Sequence, residues 1–182
     1  MRMQTRQIAR AGVAVALLAV SSWVSVPFGP VPFTLQTLVL TMMPVALEGA
    51  APVFAVVAYV LLGAIGLPVF AGFAGGVGAL AGPTGGFLWG FILGMAAACA
   101  LLRVLPRGLS PMARAIVADA ALLLVSYACG TAQLMVVGSL ELARALLMAV
   151  VPFIVPDIVK LVVGARIGWT VARAERSRGE GH

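Results

Sequence analysis

The sequence has few charged side chains and few residues that commonly act in catalysis. Charged residues make up 10% of its 182 residues, and the single histidine is His182. The two cysteines, Cys99 and Cys129, lack the close Cys or His spacing of a metal or redox site. Since enzymes commonly rely on histidine or clustered acids for proton transfer, this composition disfavours an enzyme and indicates neither a metal nor a cofactor.

Lysine occurs only once, at position 160. A Walker phosphate loop ends in Gly-Lys-Ser/Thr, and the segment Gly82–Gly86, which faintly resembles such a loop, contains no lysine. Transport driven by ATP would therefore require a nucleotide site on another polypeptide. The net charge of +6 comes from arginines that are not interleaved with aromatic residues, so nucleic-acid binding is disfavoured as well.

Apolar residues are abundant, at 62% of the chain, and the mean hydropathy is +1.11. This composition predicts an all-α integral membrane protein, since a span needs about 20 apolar residues. We expect one transmembrane domain over residues 1–182, with a glycine-rich outer loop (residues 66–86) before the fourth span and an interfacial helix before the last. The six predicted transmembrane helices cover residues 8–26, 35–47, 50–67, 85–102, 114–137 and 152–172.

Arginine clusters predict the orientation of these spans. With six spans, all the clusters lie on one side, which the positive-inside rule identifies as the cytoplasm, so both termini are expected there. The clusters are Arg2, Arg6 and Arg10, then Arg103, Arg107 and Arg114, then Arg173, Arg176 and Arg178.

Two charged residues, Asp157 and Lys160, lie one turn apart in the last predicted span. Each costs about 2.5–3.5 kcal/mol at the centre of a membrane helix, so such residues persist where something pairs with them. We interpret the pair as a ligand site. The alternative is an i,i+3 ion pair that only neutralises itself.

Further polar and flexible segments have two interpretations each. Gln36 is costly to bury unsatisfied and either contacts a ligand or is satisfied by the protein. The glycine-rich loop either closes over a ligand or is a plain linker. Asp119 is expected to pair with Arg114 or Arg103 near the cytoplasmic face.

Four separated motifs resemble the BioY family, the biotin-binding S component of energy-coupling factor (ECF) transporters. They occur in the order and at about the spacing of that family, and they cover most of the chain. The motifs are Val31–Thr37, Gly63–Phe70, Gly82–Gly86 and Pro152–Lys160.

The resemblance implies a protein of the cytoplasmic membrane that captures biotin and works with a transmembrane coupling protein and two ABC ATPases. It implies a biotin site built from the loop before the fourth span, that span itself and the start of the last one. Uptake of another small carboxylate-bearing vitamin is the alternative within transport, and a small membrane enzyme is the alternative from another class. The expected site residues are Gln36, Phe73, Gly82, Thr84, Gly85, Phe87, Phe153, Asp157 and Lys160.

The chemistry of biotin fits these residue types. Its ureido ring offers N–H donors and a carbonyl acceptor, and its tail ends in a carboxylate. We expect Lys160 to neutralise the carboxylate and Asp157 to accept from the ureido N–H, with exchanged roles as the alternative. Phe73, Phe87 and Phe153, together with Phe33, are candidates to cover the apolar ring and tail.

Overall fold

The structure is a computed structural model that describes residues 5–27, 29–106 and 108–179, the side chains of residues 176, 178 and 179 excepted. Eight α-helices make up most of this part of the chain, with one short antiparallel strand pair, β1 (Ser25–Val26) and β2 (Phe33–Thr34). The helices are α1 (Thr5–Trp23), α2 (Gln36–Ala46), α3 (Ala51–Ala64), α4 (Val77–Ala81), α5 (Gly85–Val104), α6 (Pro111–Gly138), α7 (Leu142–Ala149) and α8 (Val151–Gly179).

Each predicted span overlaps one of these helices, with shifted ends. The last helix is longer than predicted and runs to Gly179, and α7 occupies the position of the predicted interfacial helix. The glycine-rich loop has structure of its own, a 3-10 turn at Ala71–Phe73 followed by α4. Residues used in the sequence predictions that lie outside the described part, wholly or by their side chains, are Arg2, Arg107, Arg176, Arg178 and His182.

Among the described residues, α5 and α6 are each long and apolar enough to cross a membrane. Helices α7 and α8 meet at 42° and make a third candidate span if they are taken together. Helices α2 and α3 are apolar but short, at 11 and 14 residues, or about 16 and 21 Å at 1.5 Å per residue. The chain is a helical membrane protein, and the count of six spans stays a prediction.

Glycines bring two pairs of helices into close backbone contact. On α5, a Cβ added at Gly90 would lie 2.7 Å from the Ser126 Cα of α6, and one at Gly94 would lie 2.7 Å from the Leu122 carbonyl oxygen. On α8, a Cβ at Gly168 would lie 2.5 Å from the Met42 carbonyl oxygen of α2. The glycines of α5 and α8 therefore have a packing role, because only the absence of a side chain permits these approaches.

Contacts at the helix ends show which termini share a side. Near one end of the molecule, Arg10 of α1 forms an ion pair with Glu175 of α8. At the opposite end of α1, the Trp23 ring stacks on Phe73 of the glycine-rich loop at 5.2 Å between centroids. The start of α1 and the end of α8 therefore lie at the same end of the bundle, and the glycine-rich loop lies at the other.

The predicted pairing of Asp119 with Arg114 or Arg103 is wrong. Asp119 is fully buried, and neither of its carboxylate oxygens has a hydrogen-bond partner within the described ranges. Arg114 instead donates from its guanidinium to the Leu102 carbonyl oxygen at 2.5 Å. The reason is geometric: Arg114 lies at the start of α6 and satisfies the end of α5, whereas Asp119 lies more than a turn deeper.

Replacing Gly94 by alanine tests the close approach of α5 and α6. We expect Gly94→Ala to lower the free energy of unfolding by about 1–3 kcal/mol. The added methyl group would collide with the Leu122 backbone of α6, which cannot move away by a change of rotamer. Unfolding of the detergent-solubilised protein by heat or denaturant measures this. The matched control is Gly12→Ala on α1, where a Cβ meets nothing within 4 Å. Equal stability of the two variants would contradict the packing assignment.

Candidate ligand-binding site

A cavity of about 130 Å³ lies between α2, α5, α6, α8 and the glycine-rich loop. Much of its wall is aromatic and aliphatic, and the aromatic residues in it are Phe70, Phe87, Phe91, Tyr127 and Phe153. The other polar side chains in the wall are Thr34, Gln36, Thr37, Thr84, Ser126, Asp157 and Lys160. An apolar cavity with a few convergent polar groups is the usual form of a small-molecule site.

Asp157 and Lys160 form an ion pair in the wall of this cavity. Lys160 Nζ lies 2.8 Å from Asp157 Oδ1, and the two residues are 8% and 3% exposed. The helical spacing of three residues places both side chains on one face of α8. The sequence left open a ligand site or an ion pair that only neutralises itself. The structure has features of both, since the two charges neutralise each other and still border the cavity.

Other elements supply further hydrogen bonds to the Asp157 carboxylate. Thr37 of α2 donates to Oδ1 at 2.9 Å, and Tyr127 of α6 donates to Oδ2 at 2.7 Å. With the Lys160 contact, Oδ1 accepts two hydrogen bonds and Oδ2 accepts one. A carboxylate has about four acceptor positions, so one position on Oδ2 is left for a ligand N–H.

Lys160 is also held by the segment that precedes α2. Its ammonium donates to the Thr34 carbonyl oxygen at 2.7 Å and lies 3.9 Å from the centroid of the Phe33 ring. An ammonium has three N–H groups, and two of them are used by Asp157 and Thr34. The third N–H is available to the Phe33 ring or to a ligand acceptor, so the site offers one donor beside one acceptor.

The start of α8 determines where these charges lie along the helix. At 1.5 Å per residue, Asp157 is about 9 Å and Lys160 about 14 Å from the beginning of the helix at Val151. Pro152 fits the first turn, where its missing N–H has no helical partner to lose. Pro156 has no N–H and leaves the Pro152 carbonyl without its helical donor.

Six of the nine predicted site residues line the cavity: Gln36, Thr84, Phe87, Phe153, Asp157 and Lys160. The remaining three, Phe73, Gly82 and Gly85, are not part of its wall. Phe73 is 62% exposed and stacks on Trp23 at the end of α1. Gly85 lies against the Leu80 carbonyl, so it lets the loop pack closely before α5 begins.

Sequence reasoning missed Thr37 and Tyr127 as site residues. Thr37 closes the motif Val31–Thr37, so its position in that motif was an available signal. Tyr127 is one of only two tyrosines in the chain, and a buried phenol needs a hydrogen-bond partner. Its partner is 30 residues away on another helix. No local sequence pattern indicates that Tyr127 of α6 would contact Asp157 of α8.

The fold matches that of a solved membrane protein. The crystal structure at 2.1 Å of the S component for biotin from an ECF-type ABC transporter superposes with a TM-score of 0.85. The match covers 94% of this chain and 95% of the other at 21% sequence identity. The protein is thus a helical membrane protein with the S-component fold.

Sequence comparison gives the family. Residues 1–177 match the model of the BioY family. "Biotin transporter BioY" of Thermotoga maritima is 40% identical over 173 residues, which are 95% of this chain and 99% of the relative. "Probable biotin transporter BioY" of Pyrococcus horikoshii is 33% identical over 177 residues, which are 97% of this chain and 99% of that relative. The chain belongs to the BioY family, and the predicted resemblance is confirmed.

Removing one member of the ion pair should destabilise the protein more than removing both charges. We expect Lys160→Met to cost about 3–5 kcal/mol in free energy of unfolding, because it leaves a buried carboxylate without its counter-charge. The double variant Asp157→Asn, Lys160→Met should recover a large part of that loss. Unfolding of ligand-free protein in detergent measures both. A double variant as unstable as the single one would show that the unpaired Asp157 carboxylate is not the cause of the lost stability.

Proposed function

We propose that the protein captures biotin as the substrate-binding subunit of an ECF-type transporter and takes part in its uptake across the cytoplasmic membrane. The observation that carries this proposal is the Asp157–Lys160 pair, which borders an otherwise largely apolar cavity and keeps one acceptor and one donor position unused. The relatives named above are biotin transporters rather than enzymes, which supports the same function.

We place the ureido ring of biotin at the ion pair. The pair is neutral as a whole, and a neutral ureido group adds an N–H for Asp157 Oδ2 and a carbonyl for Lys160 without changing the buried charge. A carboxylate at Lys160 would instead put a second negative charge beside Asp157, at a high cost in a buried site. This proposal replaces the sequence expectation that Lys160 meets the carboxylate of the tail.

The rest of the cavity suits the apolar part of biotin and its tail. Phe87 and Phe153 would cover the fused rings, with Phe153 held by its stacking on Phe33 at 6.2 Å between centroids. Gln36 and Thr84 supply further polar groups in the cavity wall. The glycine-rich loop would act as the lid, with Gly82 and Gly85 shaping its backbone rather than touching the ligand.

We propose six membrane crossings, made by α1, α2, α3, α5, α6 and α8, with both termini in the cytoplasm. The contact between Arg10 and Glu175 supports an even number of crossings, because it brings the two ends of the chain to one side. Helix α2 is too short to cross alone, but it packs against α1, α6 and α8. The non-helical segment before it, residues 31–35, is buried or half-buried by protein, as irregular backbone at membrane depth requires.

The partners we propose are a transmembrane coupling protein and two ABC ATPases. The chain has no Walker lysine, so the nucleotide site of an ECF machine would have to belong to other subunits. The match to an S component of such a transporter supports the same kind of partner.

Purified protein should retain labelled biotin, and substitutions at the ion pair should weaken this binding. We expect Asp157→Asn and Lys160→Ala each to lower affinity by at least about tenfold, as the loss of a charged hydrogen bond implies. Equilibrium binding in detergent or nanodiscs measures the affinity, with Thr170→Val as control because that exposed hydroxyl bonds only within α8. If another vitamin displaces biotin at lower concentration, biotin is not the substrate.

A second binding experiment determines which end of the ligand contacts Lys160. Biotin and its methyl ester share the ureido ring, but the ester has no carboxylate charge. If Lys160 meets the ureido carbonyl, Lys160→Ala should weaken both ligands by the same factor, because both lose the same hydrogen bond. A loss confined to biotin, with the affinity for the ester unchanged, would instead assign Lys160 to the carboxylate.

A further inference from the structure

A short chain of hydrogen bonds leads from the cavity to the glycine-rich loop through Tyr59 of α3. Tyr59 is fully buried and is not part of the cavity wall. Its hydroxyl accepts a hydrogen bond from Gln36 Nε2 at 2.6 Å and donates one to the Val69 carbonyl oxygen at 2.9 Å. Tyr59 therefore links a cavity residue on α2 to the backbone of the loop.

The end of α1 holds the same part of the loop. Ser22 Oγ lies 2.6 Å from the Val69 carbonyl oxygen, and Trp23 Nε1 donates to the Pro68 carbonyl oxygen at 2.8 Å. The Ser22 hydroxyl has one proton and also lies 2.7 Å from the Ala19 carbonyl oxygen, so its donation is shared between two acceptors. Side chains of α1 and α3 thus contact two successive loop carbonyls. Residues 68–69 are held in place by these side chains, since they belong to no helix or strand of the fold.

The position of this segment decides how the next residue enters the cavity. Phe70 lines the cavity, is 3% exposed, and packs edge-on against the Tyr59 ring at 5.5 Å between centroids. It also lies directly against Gly63, where any side chain would collide with its ring. Tyr59 consequently contacts two cavity residues on separate elements, Gln36 by its hydroxyl and Phe70 by its ring.

We propose that Tyr59 is a positioning residue that couples a ligand contact at Gln36 to the closed position of residues 68–70. A phenol has one proton, so its hydroxyl donates either to Val69 or to a carbonyl oxygen of Gln36, but not to both. Thr34 Oγ1 donates to Gln36 Oε1 at 3.3 Å, which turns the Gln36 NH₂ group toward Tyr59 and leaves the phenol proton for Val69. A ligand donor at Gln36 Oε1 would reinforce this orientation and keep residues 68–70 in place, whereas a turned-over amide would take the phenol proton and remove the bond to Val69.

This inference rests on the proposed function, because it requires that the ligand enters this cavity. Its test is Tyr59→Phe, which keeps the ring against Phe70 and removes only the hydroxyl. We expect biotin to dissociate about 5–10 times faster, as the loss of one or two buried hydrogen bonds implies. The association rate should change less than about twofold, because a looser closed loop mainly shortens residence. Backbone amides of residues 69–74 should exchange hydrogen faster.

The matched control is Tyr127→Phe, which changes the only other tyrosine of the chain in the same way. Tyr127 bonds Asp157 and not the loop, so this variant should bind biotin more weakly, while its loop amides should exchange at the wild-type rate when both proteins are compared without ligand. This difference separates a role in positioning the loop from a general loss of stability. Folded Tyr59→Phe with unchanged dissociation and unchanged loop exchange would overturn the proposal.

Two further variants keep the test decisive if Tyr59→Phe does not fold. Ser22→Ala and Trp23→Phe remove donors to the same loop carbonyls and should produce the same pattern of faster dissociation and faster loop exchange. Wild-type rates in both would overturn the proposal. A wild-type protein that retains no biotin would overturn the proposed function, and loop exchange in the ligand-free variants would then decide the role of Tyr59 by itself.

Discussion

The burial of Asp157 and Lys160 is the constraint on which the rest of the site depends. A lone charge in this position would be strongly destabilising, so the fold has to bring compensating groups to it from elsewhere. Thr37 comes from α2, Tyr127 from α6, and the Thr34 carbonyl from the segment before α2. The requirement to satisfy one ion pair thus positions α2, α6 and α8 around a common point.

The cavity lies between two closely packed pairs of helices. Glycines let α5 approach α6 and let α8 approach α2 until backbones touch, which forms two tight helix pairs. The larger side chains between these pairs, such as Phe87, Phe91 and Phe153, line a space instead of filling it. A site of this kind combines dispersion contacts for a ring system with a few fixed polar groups, which determine the orientation of the ligand.

Asp119 shows where sequence reasoning failed, and Phe73 shows a contact that the sequence did not indicate. A partner for Asp119 was predicted from nearness along the chain, yet Arg114 satisfies a carbonyl of α5 and the carboxylate is buried without a partner among the described residues. Phe73 stays a predicted ligand contact, and in the structure the loop turns at Gly72 and Phe73, both with positive φ, so that this ring packs on Trp23. Both arrangements depend on contacts between separate elements of the fold.

The sequence by itself determined that this is a helical membrane protein of the BioY family, the approximate position of every described helix except α4, and two charged residues of the candidate site. Hydropathy and helical spacing are local properties of the chain, so they can be read without coordinates. Only the tertiary structure decided that the two charges pair and still face a cavity, and that Thr37, Tyr127 and Tyr59 bond residues of its wall. The hydrogen bonds of these three residues join positions from 10 to 120 residues apart, because partners in a folded chain are chosen by packing and not by sequence distance.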